Sequence, residues 1–535
     1  MRFFSLPACA TAGLFAVLAA SAWAQSPVPY ERILHSADQP GNWLTYSGNY
    51  NGARHSTLSQ ITPDNVAVLK PAWVYQSREA GKWECTPLVV DGVMYITERP
   101  NIVTALDART GRPLWNYRRP MPTDVPGCCG PVNRGLAILG DALYLDTFDC
   151  HVVCLDAATG KERWSITTAD YHAGYSMTAA PLALKGKIIA GISGGEYGAR
   201  GFLDAYDAKT GARLWRLWTV PAPGQPGHET WGQAEWQKGG STTWVTGSYD
   251  AELNTLYWGT GNPAPDYNDD SRPGDNLYSN CVLAIDPDTG KLRWHFQYTP
   301  HDTHDWDSNQ VPILVDAEIA GQPRKLLLQA NRNGFYYVLD RTTGEFLAGQ
   351  AFAKVNWASG LDAKGRPIEL PNLRPTREGV LVFPGQAGTV NWPSPSYDHL
   401  THLFYVQAVE DFGQVFYKLK PNEEEGANFT GGGFRSQLGK EPYGVIKAIE
   451  ATTGKVRWEF REQTSSNCGV LTTENGVLFS GTREGEFFAL DAASGKPLWR
   501  FTTGGQIHGG PVTFLVDGKQ HVAVAAGNGL FVFAL

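Results

Sequence analysis

Seven times along the chain an acidic residue is followed, after two variable positions, by Thr or Ser and then Gly, and in six of the seven a Trp stands eight positions beyond the acid. The copies begin at Asp107, Asp156, Asp207, Asp286, Asp340, Glu450 and Asp491, and the rings are Trp115, Trp164, Trp215, Trp294, Trp458 and Trp499. The fifth copy carries Ala348 in place of the ring. Each acid closes a β-rich run such as Val103-Thr104-Ala105-Leu106, and the Gly supplies the positive φ that a tight hairpin needs. The Trp falls in the strand that follows. Copies spaced by 49, 51, 79, 54, 110 and 41 residues fit one four-stranded unit per copy, with insertions in the longer intervals. Trp73, in Leu69-Lys70-Pro71-Ala72-Trp73, reads as an eighth docking ring without its turn. The sequence therefore predicts an all-β fold, an eight-bladed β-propeller with Trp-docking repeats. Closure is expected from strands between about Val512 and Leu535 joining the first blade near residues Trp43 to Ala53. No Pro/Ser-rich linker interrupts the series, which argues against a string of separate small β domains.

The first 24 residues carry one charge, Arg2, then an apolar run through Gly13 to Ala19 and the small-residue pattern Ala22-Trp23-Ala24. This is the layout of a cleaved secretory leader over residues 1–24, leaving residues 25–535 as one propeller domain. Leu6-Pro7-Ala8-Cys9 has the look of a lipoprotein box, but its Cys precedes the apolar run that it should follow. No later stretch reaches the length of a membrane span. The formal net charge is −8 and the charged fraction 18%, so nothing invites nucleic acid. Export, to the periplasm, permits disulfides. The mature chain has seven Cys: Cys85, Cys128, Cys129, Cys150, Cys154, Cys281 and Cys468. Cys150 and Cys154 would stand about 13 Å apart on one straight strand, too far to pair. No Cys-x-x-Cys-His occurs, so a covalently attached c-type haem is absent.

Cys128-Cys129, in Gly127-Cys-Cys-Gly130-Pro131-Val132-Asn133-Arg134-Gly135, is the sharpest local signal. Neighbouring Cα atoms stand about 3.8 Å apart, below the usual disulfide span of about 4.4–6.8 Å, so a bond between them must distort the peptide. The alternatives are that small rigid ring, on which a flat ligand can rest, or two buried thiols. The expectation is the ring.

With the repeats, this segment resembles the quinoprotein methanol and ethanol dehydrogenases, the pyrroloquinoline-quinone-dependent alcohol dehydrogenase family. The resemblance extends through Gly191-Ile192-Ser193-Gly194-Gly195-Glu196-Tyr197-Gly198, Tyr257-Trp258-Gly259-Thr260-Gly261-Asn262-Pro263 and Asn331-Arg332-Asn333-Gly334, and covers the mature chain. It implies a quinone between the Cys128–Cys129 pair and the Trp244 indole. Glu84, Arg134, Thr178, Ser193, Gly194, Gly195, Thr242 and Asn391 match positions that hold the cofactor's carboxylates and ring oxygens. Its metal ligands map onto Glu196, Asn262 and Asp305, and oxygen-only ligands suit a hard cation such as calcium. Asp305 aligns with the catalytic base, and Asp307 with the extra carboxylate of lanthanide-dependent members. A third carboxylate favours a trivalent ion by charge, so a lanthanide is expected over calcium. Arg332 aligns beside the quinone's reactive carbonyls, where a permanent positive charge stabilises the reduced oxygen. Outside the resemblance, the segment His301 to Asp307 reads as a solvated acidic loop, Arg332 as a buried structural arginine and Trp244 as one more buried ring. The sequence departs from the family at His304, where a Trp is usual, and at Ser466-Asn467-Cys468-Gly469, where the seventh-blade Trp is missing.

The implied reaction is oxidation of small primary alcohols to aldehydes, with Asp305 accepting the hydroxyl proton as hydride leaves the alcohol carbon for the quinone. Without its own haem, such a chain passes electrons to a separate soluble periplasmic cytochrome c. Sugar or polymer alcohols are the alternative substrates, with choice set at the pocket mouth by the insertion between Asp340 and Glu450. A homodimer is compatible with the sequence. A different class shares these repeats: non-catalytic propeller scaffolds of outer-membrane assembly, which need no inward carboxylate cluster.

Overall fold

The structure, a computed structural model, describes residues 26–232, 236–437 and 439–535, so the expected leader lies outside the described residues. Strands meander: Leu88–Val90, Val93–Glu98, Ile102–Asp107 and Pro113–Arg118 form one antiparallel sheet in sequence order. The same arrangement recurs along the chain, giving eight sheets of four or five strands, with a three-stranded and a two-stranded sheet in the insertion before Tyr443. The core is the set of faces between successive sheets. In one of them Tyr95 and Val103 pack with Leu143, Val153, Ile189 and Leu203, all buried.

The repeated turn joins the third strand of each sheet to the fourth. At the first copy the Asp107 carbonyl accepts the Gly111 N–H (2.8 Å), while the Asp107 carboxylate accepts the Arg109 N–H (2.8 Å). The glycine is obligatory for two reasons. Gly111 and Gly160 both sit at φ +71°, and a Cβ on either would stand 2.4 Å from the ring of the preceding Trp, Trp73 or Trp115. Trp73, Trp115, Trp164, Trp215, Trp294 and Trp458 thus lie on the next sheet's turn, and in four of them the indole N–H reaches a carbonyl there: Trp73 to Ala108, Trp115 to Ala157, Trp215 to Pro287 and Trp458 to Ala492, each at 3.1 Å. Across its own sheet each repeat Trp faces a small residue: Ala105, Cys154, Ala205, Ala284, Ala448 or Ala489. The ringless fifth copy inverts the pair, Ala348 facing Val338. There Tyr336 takes over, its hydroxyl donating to the Ala451 carbonyl (3.0 Å) and its ring lying under Gly454.

The last strand shares a sheet with a strand near the N-terminus, as expected, but the partner differs from the expectation. Gly529–Ala534 pairs antiparallel with Lys70–Gln76, the strand that carries Trp73, and not with residues 43–53. Residues 50–54 cannot serve as a strand of one sheet because their carbonyls are shared among four. Tyr50 accepts from Tyr249 (2.8 Å), Asn51 from Leu314 (2.8 Å), Ala53 from Tyr397 (2.9 Å) and Arg54 from Thr472 (3.3 Å). This segment crosses from sheet to sheet and ties them together.

Gly160→Ala is expected to lower stability by about 2–4 kcal/mol, combining the left-handed backbone penalty of about 1–2 kcal/mol with overpacking against Trp115 of about 1–3 kcal/mol. Gly92→Ala, at φ +83° with nothing within 4 Å of its Cβ, should lose only the first part. Guanidinium midpoints of the two variants measure the difference, and equal midpoints would remove ring docking as the constraint.

Candidate active site

Meandering strands send the repeat turns to one end of every sheet and bring two other segments to the opposite end: the lead into the first strand and the turn after the second. Every residue singled out by the sequence lies in one of these. Glu84, Cys128, Cys129, Arg134, Thr178, Thr242, Trp244, Asp305, Asp307 and Asn391 precede first strands, while Ser193, Gly194, Gly195, Glu196, Asn262 and Arg332 follow second strands. The structure brings them together.

Arg332, buried, is the hub. Its Nη1 donates to the Asp305 carbonyl (2.7 Å) and stands 3.1 Å from Asp307 Oδ2 and 3.7 Å from Asp305 Oδ1. Its Nη2 donates to Asn391 Oδ1 (3.1 Å), while its Nε has no partner. The Asn262 N–H donates to the other oxygen of Asp307 (2.9 Å). Asp305 is held at φ +61°, a region Asp tolerates better than most residues. Its Oδ2 accepts from the Gln386 amide and from the Tyr267 hydroxyl (3.4 Å). Glu196 stands in the short turn Gly195–Tyr197, where Gly194 is required because a Cβ would lie 2.1 Å from the Gly174 carbonyl. His304, at the departure from the family pattern, stacks on Trp306 with centroids 4.4 Å apart and meets the Leu373 carbonyl through Nε2 (3.1 Å).

A second basic centre lies beside the first. Arg134 pairs with Glu84 (2.8 Å), donates to Thr178 Oγ1 (2.8 Å), and through it reaches Ser193 Oγ (3.1 Å). Its guanidinium sits between two indoles, 4.9 Å from Trp244 and 4.7 Å from Trp392. Arg332 also lies over Trp244, at 5.8 Å. Both arginines act electrostatically on Cys129. Here the structure departs from the expectation. Cys128 and Cys129 face each other with sulfurs 2.7 Å apart, closer than unbonded sulfurs pack and longer than a disulfide bond, so the ring is approached but not closed. The short reach between neighbouring Cα atoms opposes closure. No disulfide joins the seven described Cys.

Burial raises the pKa of each acidic group in the cluster. Asp305 is pushed well above the usual carboxylate range by desolvation, then by Asp307 and Asp266. Glu196 is raised by desolvation and Asp307, and Asp307 by desolvation against the pull of Arg332. Crowded carboxylates with one guanidinium call for additional positive charge. Oxygen-only donors fit a hard cation, and the exposed sulfurs, half-buried Trp244 and flanking arginines fit a flat polyanion. The carboxylates surround a common space without converging on a point. Among the described residues the trio of such ligand atoms within 4.8 Å of one another is His55, His399 and Glu474, at the opposite end of the sheets. The sequence reading missed Gln386 and Tyr267 on Asp305, Trp392 on Arg134, and Asp266. Only Asp266 had a sequence signal, as an acid four positions beyond Asn262 in the same Gly/Pro-rich turn.

Residues 43–355 match the family described as glucose/ethanol/alcohol dehydrogenase, beta-propeller domain, and residues 442–534 match one described as outer membrane protein assembly factor BamB. The quinoprotein alcohol dehydrogenase PedH of Pseudomonas putida is 39% identical over 96% of this chain and 91% of its own. Quinohemoprotein alcohol dehydrogenase of Comamonas testosteroni has a solved structure that superposes with a TM-score of 0.90 at 36% identity, over 95% of this chain and 82% of that one. A europium-containing methanol dehydrogenase superposes with a TM-score of 0.89 at 34% identity, over 94% of this chain and all of its own. The site's constellation and these matches have one meaning: the chain belongs to the family of pyrroloquinoline-quinone-dependent quinoprotein alcohol dehydrogenases.

Proposed function

We propose that this protein is a periplasmic dehydrogenase that oxidises primary alcohols to aldehydes and hands the electrons to a separate cytochrome c. The observation that carries the reading is the joining of Asp305, Asp307 and Asn262 through Arg332, beside Trp244 and the Cys128–Cys129 pair. The eight sheets are read as an eight-bladed ring around this site. Among the described residues no helix is long and apolar enough to cross a membrane.

Glu196, Asn262, Asp305 and Asp307 would hold the cation. Arg134, Thr178, Ser193, Thr242 and Asn391 would hold the carboxylates and ring oxygens of pyrroloquinoline quinone, with Trp244 and the cysteine pair on its faces. When bound, the quinone supplies the acceptor for the alcohol's hydride and the cation the charge that polarises it. The protein's own work is positioning and proton transfer. Asp305, oriented by Gln386 and Tyr267, takes the alcohol's hydroxyl proton on its carboxylate. Its neighbours raise its affinity for that proton, so Asp305 works as a base only when added positive charge keeps it ionised. Arg332, fixed by Asn391 and the Asp305 carbonyl, would place a permanent charge beside the reacting atoms. Asp307 adds a carboxylate that suits a lanthanide better than calcium, and the likeness to a europium-containing methanol dehydrogenase supports that choice.

Asp305→Asn should reduce dye-linked ethanol oxidation by at least about a hundredfold with unchanged thermal unfolding; a variant as active as the parent would remove the base assignment. Apoprotein supplied with pyrroloquinoline quinone should turn over with lanthanum or praseodymium and poorly with calcium. Asp307→Ala should lose the lanthanide-supported rate selectively. Equal rates with both ions before and after that change would overturn the metal reading.

A further inference from the structure

Asp266 lies in the turn that carries Asn262 and is 1% exposed. Neither of its carboxylate oxygens makes a hydrogen bond, although the Asn262 side chain lies close enough to act on it. Its charged neighbours are Glu196 and Asp307, with Arg272 the nearby cation, and Asp266 in turn acts on Asp305. Arg272 is fully committed elsewhere: Nε and Nη2 donate to the Pro265 carbonyl (3.1 and 2.8 Å), Nη2 to the Asp302 carbonyl (2.8 Å) and Nη1 to Asn276 Oδ1 (2.9 Å). It reaches Asp266 only at the main-chain oxygen (3.4 Å). The adjacent Asn262 amide donates to the Pro263 carbonyl (3.2 Å), and the Tyr267 hydroxyl to Asp305.

An ionised carboxylate in this position has no ion pair and no formed hydrogen bond, Arg272 acting on it only from a distance, an arrangement that buried charges avoid. Adding a proton would remove the charge but would leave at least one oxygen without a donor while the Asn262 amide stays on the Pro263 carbonyl. A cation satisfies both oxygens at once. We propose that Asp266 is a further carboxylate of the cation site, facing the same ion as Glu196, Asp305 and Asp307. The inference rests on reading this cluster as a cation site. Arg272 faces Asp302 and Asp269 before Asp266 and is balanced by them, so the four carboxylates oppose the guanidinium of Arg332, an excess of three negative charges. A trivalent ion cancels that excess, and a divalent ion leaves one charge uncompensated in a buried place.

The test uses the full chain carrying pyrroloquinoline quinone, with Tb3+ and Ca2+ as probes. Asp266→Asn should weaken Tb3+ binding about tenfold or more and Ca2+ binding by less, read by luminescence titration and competition. Eu3+ bound to Asp266→Ala should gain water, seen as a shorter luminescence lifetime in H2O relative to D2O. Thermal unfolding separates a lost ligand from a damaged fold. Without ion, Asp266→Asn should be at least as stable as the parent, since an uncompensated charge has gone; with Tb3+ it should gain less. Unchanged Tb3+ affinity and an unchanged Tb3+-induced rise in melting temperature would overturn the assignment of Asp266. A parent protein that binds neither Tb3+ nor Ca2+ would overturn the cation site itself, and the inference with it.

Discussion

The contact between a Trp ring and the positive-φ glycine of the next sheet sets the geometry on which everything else depends. The ring is wide, so the residue across the strand must be small, and Ala or Cys occupies that place in all six complete copies. The turn must be bare, because a single added carbon would overlap the ring. In four of the rings the indole N–H then finds a carbonyl of the neighbouring sheet, which fixes distance and rotation together. The fifth copy shows that the interface is specified by a filled volume and a satisfied carbonyl, not by tryptophan as such. Tyr336 supplies both where Ala348 cannot.

Docking at one end of the sheets frees the other. The leads into first strands and the turns after second strands carry no interlocking duty, so they can hold residues that no stability argument would select. Arg332 anchors the acidic group there, using its two terminal nitrogens on four acceptors from two segments. A rigid frame can hold acids in a buried place, and the raised proton affinity of Asp305, Glu196 and Asp307 comes first from that burial and then, for Asp305 and Glu196, from their acidic neighbours. Asp146 and Glu462 are raised by burial too, so what marks this cluster is the grouping of its carboxylates around Arg332.

Much of this was legible in the sequence, for a physical reason: turns and docking rings are local. Positive φ at the repeat glycines, the strand following each turn and the docking role of Trp73 all depend on residues within a short window. The sequence misplaces the partner of the last strand because the fate of residues 50–54 depends on four sheets up to some four hundred positions away. The residues around the site were named from motifs, yet their partners were not. Gln386 reaches Asp305 from the insertion, and Trp392 reaches Arg134, through contacts between segments with no shared pattern. The Cys128–Cys129 pair was read as a ring from its context, whereas its state depends on backbone distortion that composition does not encode.

How the site selects an ion follows from what the frame does and does not fix. The acidic side chains are rooted at strand ends, so their backbone positions are set, but their oxygens are not gathered at one point. Ligands that must swing inward onto an ion cannot measure its radius closely, since each can stop at the distance that the ion prefers. They can count its charge, because mutual repulsion is relieved in proportion to the charge that enters. An oxygen-lined site of this kind therefore discriminates between a trivalent and a divalent ion of similar size by the number of anions facing it. On the reading proposed for this protein, that number is set by side chains on three separate segments, each of which the docked sheets hold in place.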